Sequence, residues 1–212
     1  MKKIGIIAGT KVDTKFGELF FAKFKAQTIG CSISETPQEQ TQLQVLNRKQ
    51  LTEKVQSAID KVSKEGANTI VIYCNSLSGA IDLEFLRRVN KQKIITPLDV
   101  YAKIANNYKV FGLLAANCQS TANIEKLILK INKEAIIIGL GNLNIVNDIE
   151  NNHRPIDIIN NYNLVELCDI ISKSGAEIII LGCTHYSYFY EELCGLSNQI
   201  ILEPSEEMKK FV

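Results

Sequence analysis

The sequence holds only two histidines, His153 and His185, and no two of its six cysteines form a Cys-x-x-Cys pair. Both shortages argue against a zinc site, which needs clustered nitrogen and sulfur ligands. No apolar stretch approaches the roughly 20 residues that cross a bilayer. The start, Met1-Lys2-Lys3-Ile4-Gly5-Ile6-Ile7-Ala8-Gly9, is basic and then apolar. Its apolar run is too short for a signal peptide, and Lys11 and Asp13 follow at once. The formal net charge is +1, which gives no basic face for nucleic acid or an anionic membrane. Low-complexity segments, a Walker loop, a Gly-x-Ser-x-Gly elbow and a His-Glu-x-x-His helix are all missing. What remains reads as a cytoplasmic protein with reduced cysteines.

What is present is a repeat. Gly66-Ala67 opens a β-branched run that ends in Tyr73-Cys74-Asn75-Ser76, and Gly175-Ala176 opens one that ends in Gly182-Cys183-Thr184-His185. In each, a cysteine follows the glycine by eight residues. The segment Ile4-Gly5-Ile6-Ile7-Ala8 matches Phe111-Gly112-Leu113-Leu114-Ala115 at an offset of 107, and Val62–Ala67 matches Ile171–Ala176 at 109. Two separate segments agreeing on an offset near half of 212 residues indicate internal duplication.

Short apolar runs near 3–8, 68–73, 109–115, 135–139 and 176–181 read as buried parallel strands, with weaker candidates near 29–33, 93–96 and 199–202. Amphipathic helices are expected near 15–26, 49–65, 78–90, 98–107, 120–132, 156–173 and 186–194, and Gly66 and Gly175 should each stop one. Residues 31–48 read as a loop facing the substrate, and 141–155 as a short helix or loop. The alternation predicts an α/β fold of two pseudo-symmetric lobes, each a parallel sheet flanked by helices, with an active site in the cleft between them. The first lobe should cover 1–97 and the second 98–198, with the tail 199–212 returning to the first.

Ligands of parallel α/β sheets bind at the carboxyl ends of the strands. Cys74 and Cys183 each end a strand and precede a helix start, where backbone N–H groups favour a thiolate or a carboxylate. Asn75, Ser76 and Thr184 add side-chain donors. Thr10 and Asn117 match across the repeat at the ends of two other strands and are candidate ligand contacts. A lone cysteine most often fills space. That reading is kept for Cys31, Cys168 and Cys194, and less firmly for Cys118, which falls near the expected cleft. His185, two residues beyond Cys183, could exchange a proton with it; His153 has only a loop context. Gly139-Leu140-Gly141 hints at a dinucleotide loop but lacks the third glycine.

Tyr73-Cys74-Asn75-Ser76, Leu181-Gly182-Cys183-Thr184-His185-Tyr186 and Ile4-Gly5-Ile6-Ile7-Ala8-Gly9-Thr10 together resemble the aspartate/glutamate racemase family, along the whole chain. The resemblance implies cofactor-independent racemization of a dicarboxylic amino acid. Cys74 and Cys183 would be the two acid/base residues, with His185 auxiliary. Asn75, Ser76 and Thr184 would hold the α-carboxylate, with Thr10 and Asn117 beside them. It also implies no metal and a possible homodimer. The chain departs from the pattern in three places. Ser76 replaces a threonine. Ala8-Gly9 stand where glutamate racemases carry Asp-Ser, leaving Asp13 as the carboxylate expected nearest the site. His185 stands where aspartate racemases carry glutamate. Related chemistries on the same scaffold are hydantoin racemization, maleate isomerization and arylmalonate decarboxylation. The last needs a single cysteine. A ligand-binding protein without turnover is the reading from another class.

Overall fold

Ile4, Ile6 and Ile7 are buried to within 1% of complete exclusion from solvent, so the strand that carries them is covered on both faces. In the computed structural model, which describes residues 2–43 and 45–212, the first stretch of chain runs in ten elements. They are β1 (Lys3–Ala8), α1 (Lys11–Ala22), β2 (Gln27–Ser32), α2 (Pro37–Leu43), α3 (Arg48–Lys64), β3 (Thr69–Tyr73), α4 (Asn75–Ala80), α5 (Leu83–Val89), β4 (Lys93–Ile95) and α6 (Pro97–Ile104). There follow β5 (Val110–Ala115), α7 (Cys118–Ile131), β6 (Ile136–Gly141), α8 (Leu143–Glu150), α9 (Pro155–Asn161), α10 (Leu164–Lys173) and β7 (Ile178–Gly182). A 3-10 turn (Thr184–Tyr188), α11 (Tyr190–Leu196), β8 (Ile201–Leu202), α12 (Pro204–Met208) and a second 3-10 turn (Lys209–Phe211) complete the described chain.

Two compact units result, Met1–Asp99 with Ser205–Val212, and Val100–Pro204. Each is built on a four-stranded, wholly parallel sheet, in the order β2-β1-β3-β4 and β6-β5-β7-β8. The two orders are one topology used twice, as the sequence repeat requires. In the first unit Ile7, Val55, Ile59, Val62, Ile70, Ile72 and Leu77 form the centre of a continuous core to which Cys74 also belongs.

Equivalent residues stop equivalent helices. Gly66 (φ +97°) and Gly175 (φ +106°) take the left-handed conformation that only glycine adopts without strain. Gly66 N–H donates to Ser63 O (2.9 Å) and Ala67 N–H to Val62 O (3.0 Å), while Gly175 N–H donates to Ser172 O (2.8 Å) and Ala176 N–H to Ile171 O (3.3 Å). Each set is a Schellman closure. The glycines of the matched strands serve close packing. A Cβ on Gly5 would come within 2.6 Å of Val62 Cγ2, and one on Gly112 within 2.4 Å of Ile171 Cγ2. Gly139 and Gly141 have the same purpose, not that of a dinucleotide loop. Added Cβ atoms there would meet Thr121 Cγ2 and the Asn117 backbone carbon, each at 2.3 Å.

The elements depart from expectation where capping decides. The first helix starts at Lys11 because Thr10 caps it, its Oγ1 accepting from Asp13 N–H. The segment 31–48 is not all loop, since it contains α2 and the start of α3. Thr36 Oγ1 accepts from Glu39 N–H (3.1 Å), Glu39 Oε2 accepts from Glu35 N–H (2.9 Å), and Pro37 stands first in the helix. The single helix expected over 78–90 is two, because Asp82 Oδ1 accepts from Phe85 N–H and starts α5 anew. The helix expected over 156–173 is also two, broken at Asn163 (φ 47°). The tail differs as well. Ile201–Leu202 pairs with β7 and so extends the second sheet, and only Ser205–Val212 groups with the first unit. There Tyr73 and Ser205 join hydroxyls at 2.6 Å in a fully buried pair. Among the described residues no helix is long and apolar enough to cross a membrane.

Candidate functional site

Strand register brings the singled-out residues of each unit to one edge of its sheet. In the first unit Ala8 pairs with Tyr73, so Thr10 and Cys74 leave the sheet together at its carboxyl end. In the second Ala115 pairs with Gly182, which does the same for Asn117 and Cys183. Thr10 and Asn117 have equivalent duties: each caps the helix that follows, Asn117 Oδ1 accepting from Ser120 N–H at 2.9 Å. Their side chains are thus held by α1 and α7.

Cys74 occupies the N-cap position of α4 in extended conformation and is 6% exposed. Its Sγ lies 3.3 Å from Ser76 Oγ and 3.8 Å from Gln40 Nε2. Gln40 Nε2 also donates to Ser76 Oγ at 3.3 Å, and Gln40 Oε1 lies 3.2 Å from Ser34 Oγ. Ser34 is anchored in turn, its Oγ donating to Gly9 O at 2.6 Å. Gln40, Ser76 and Ser34 are all buried. Asn75 is buried beside it as the first residue of α4. Asp13 is wholly buried in the first turn of α1.

Cys183 stands at the N-cap position of the 3-10 turn, again extended and 6% exposed. Its Sγ is 3.8 Å from His185 Nδ1, and His185 Nε2 is 2.8 Å from Glu150 Oε1. A carboxylate can only accept, so Nε2 carries a proton, and in the neutral ring Nδ1 is then the acceptor that faces the thiol. Thr184 is buried, with its carbonyl accepting from Ser187 Oγ at 2.8 Å. Tyr186 donates to Ala115 O at 3.0 Å and lies against Asn142 O at 3.4 Å. Burial, with the Cys183 sulfur as the next contributor, pushes its phenol well above the ordinary value of 10.0.

The remaining cysteines and the second histidine have other surroundings. Cys168 is fully buried on α10, where burial first and Asp169 second push its thiol up to about 12. Cys31 is half-buried against the first core. Cys194, expected to fill space, is exposed on α11, because its neighbour Leu193 is the residue turned inward. Cys118 is exposed as the first residue of α7. His153 Nδ1 lies 3.4 Å from Asp148 on the surface. Among the described residues no group of three or more histidine, cysteine or acidic side chains could hold a metal ion.

Gln40 beside Cys74, Ser34 beside Gln40 and Glu150 beside His185 were not singled out as site residues, although the first two fall in the segment 31–48 read as facing the substrate. The capping box Thr36-Pro37-Gln38-Glu39 would have revealed α2 and hence Gln40. Glu150 lies 35 residues from His185 in an asparagine-rich stretch and gives no local signal.

No family model and no curated protein matches the chain in sequence. Solved structures do match in fold. Glutamate racemase from Francisella tularensis subsp. tularensis SCHU S4, in complex with D-glutamate, superposes with a TM-score of 0.67 at 16% identity, covering 99% of this chain and 79% of that one. Allantoin racemase from Klebsiella pneumoniae gives 0.73 at 14% identity, over 100% and 86% of the two chains. Picrophilus torridus aspartate racemase gives 0.66 at 14%, over 98% and 91%. In fold, this chain stands with the glutamate, aspartate and allantoin racemases.

Proposed function

We propose that the chain is a cofactor-independent racemase of an acidic amino acid, aspartate or glutamate, in which Cys74 and Cys183 work on opposite faces of one α-carbon. The observation that carries this reading is the repeat at the level of chemistry. The same strand-to-helix turn bears a buried thiol in both units, and each thiol has a proton-handling partner.

In one direction the Cys183 thiolate, formed by loss of its proton to His185, takes the α-proton. The electron pair of the broken C–H bond stays on the α-carbon and its carboxylate. The Cys74 thiol then gives its proton to the other face and becomes the thiolate that starts the reverse reaction. The Asn75 amide and the Ser76 and Thr184 hydroxyls hold the α-carboxylate, while Thr10 and Asn117 fix the helix starts beside them. Proton transfer by positioned groups of this kind contributes about 10²–10⁴-fold in rate.

A second reading, racemization of a neutral hydantoin-type ring, is favoured by two observations. The neutral Gln40 amide and Ser76 hydroxyl both lie beside the Cys74 sulfur, and the match to allantoin racemase covers 100% of the chain. Incubating D- and L-aspartate, D- and L-glutamate and allantoin separately in D₂O, with NMR at the exchanging carbon, distinguishes the two. Deuterium in either amino acid supports the first reading, deuterium in allantoin alone supports the second, and none in any substrate overturns both. The homodimer and the cytoplasmic location belong to the same proposal; analytical ultracentrifugation measures the former.

A further inference from the structure

We infer that Gln40 is a positioning residue for the Cys74 thiol, whose side-chain amide can serve the protonated and the deprotonated sulfur in turn. The inference rests on the two-thiol reading for its purpose, but not for its geometry.

Gln40 lies between two hydroxyls and a sulfur. One end of its amide is 3.2 Å from Ser34 Oγ, and the other is 3.8 Å from Cys74 Sγ and 3.3 Å from Ser76 Oγ. With Nε2 toward the sulfur, the amide donates to a thiolate and Ser34 donates to Oε1. Ser34 has one hydroxyl proton, however, and its Oγ is also 2.6 Å from Gly9 O, which can only accept. When the proton goes to Gly9, the amide is better satisfied turned over. Nε2 then donates to Ser34 Oγ, and Oε1 accepts from a Cys74 thiol or from Ser76. Ser34 accommodates both orientations, and amide orientation follows the hydrogen-bond network around it.

A two-base racemase asks one sulfur to be an acid in one direction and a base in the other. A carboxylate at this position would only accept, and would hold the thiol protonated. An amide has a donor for the thiolate and an acceptor for the thiol. Ser76, 3.3 Å from the same sulfur, has the same double capacity. Among the described residues, the other buried titratable groups of the first unit are Asp13 on α1 and Tyr73 on β3. Both are unchanged in the comparison below.

The test is the pH dependence of Cys74 alkylation by iodoacetamide, read by mass spectrometry on the Cys74 peptide. It uses the full chain carrying Cys183→Ser, with Gln40, Gln40→Leu or Gln40→Glu. Both substitutions remove the donor, so the midpoint rises by about one pH unit, a tenfold loss of thiolate at a given pH. Gln40→Glu rises at least as far as Gln40→Leu, because its carboxylate also repels the thiolate. A merely structural Gln40 would lower the melting temperature and leave the midpoint in place. Unchanged midpoints in both variants, or a fall in Gln40→Glu, overturn the inference. Alkylation needs no turnover, so failure of the racemase reading alone does not produce either result.

Discussion

Glu150 Oε1 lies 2.8 Å from His185 Nε2, and both side chains are largely withdrawn from solvent. The pair fixes which ring nitrogen is left to face Cys183. Glu150→Gln keeps the shape and removes the charge, so the tautomer is no longer held and the imidazolium is no longer stabilised. Turnover of the amino-acid substrate should fall about 100-fold, the scale of a positioned acid/base contribution, with KM little changed. Steady-state kinetics measure it. A variant with wild-type turnover would show that the carboxylate does not act through His185.

Thr10 and Asn117 were candidate substrate contacts and are observed as helix caps. Their removal should therefore be felt in folding. Asn117→Ala should lower stability by about 1 kcal/mol in urea denaturation, and Asn117→Ser should restore most of it. Thr10→Ala and Thr10→Ser should behave likewise. A rise in KM with no loss of stability would instead mark direct contact with the substrate.

Tyr186 supplies a pH signature. Its phenol is raised in the folded chain, so the folded state keeps a proton that the unfolded state releases above about pH 10. The stability this gives is present in full below the unfolded value and is lost as pH rises beyond it. Wild type should become less stable from about pH 10 upward, and Tyr186→Phe should lose less over the same range. The variant should also be less stable by about 1 kcal/mol at neutral pH, for want of the bond to the Ala115 carbonyl. Thermal melts between pH 7 and 11 give both quantities. Parallel pH dependences in the two proteins would count against the phenol as the cause.

The repeat was readable because its marks are local. Gly66 and Gly175 stop helices by a conformation that needs glycine, and β-branched runs bounded by such stops read as strands. Cys74 and Cys183 could be singled out because a strand end and a helix start are adjacent in sequence as well as in space. Gln40 and Glu150 could not be paired with them in that way. Each reaches its cysteine or histidine from an element more than 30 residues away, and only the packed unit brings them together. Helix breaks at Asp82 and Asn163 were hidden for another reason. The apolar period continues across both, and what interrupts the helix is a side-chain cap in one case and a left-handed backbone in the other.

The central claim is that two thiols share one α-carbon. Deuterium entry at the α-carbon of aspartate and glutamate in D₂O, followed by NMR for the intact protein, Cys74→Ser and Cys183→Ser, tests it most directly. The account predicts deuterated product of inverted configuration from the intact protein, and loss of inversion by about 100-fold or more in each serine variant. Inversion retained in both variants, or no deuterium entering either substrate with the intact protein, would contradict it.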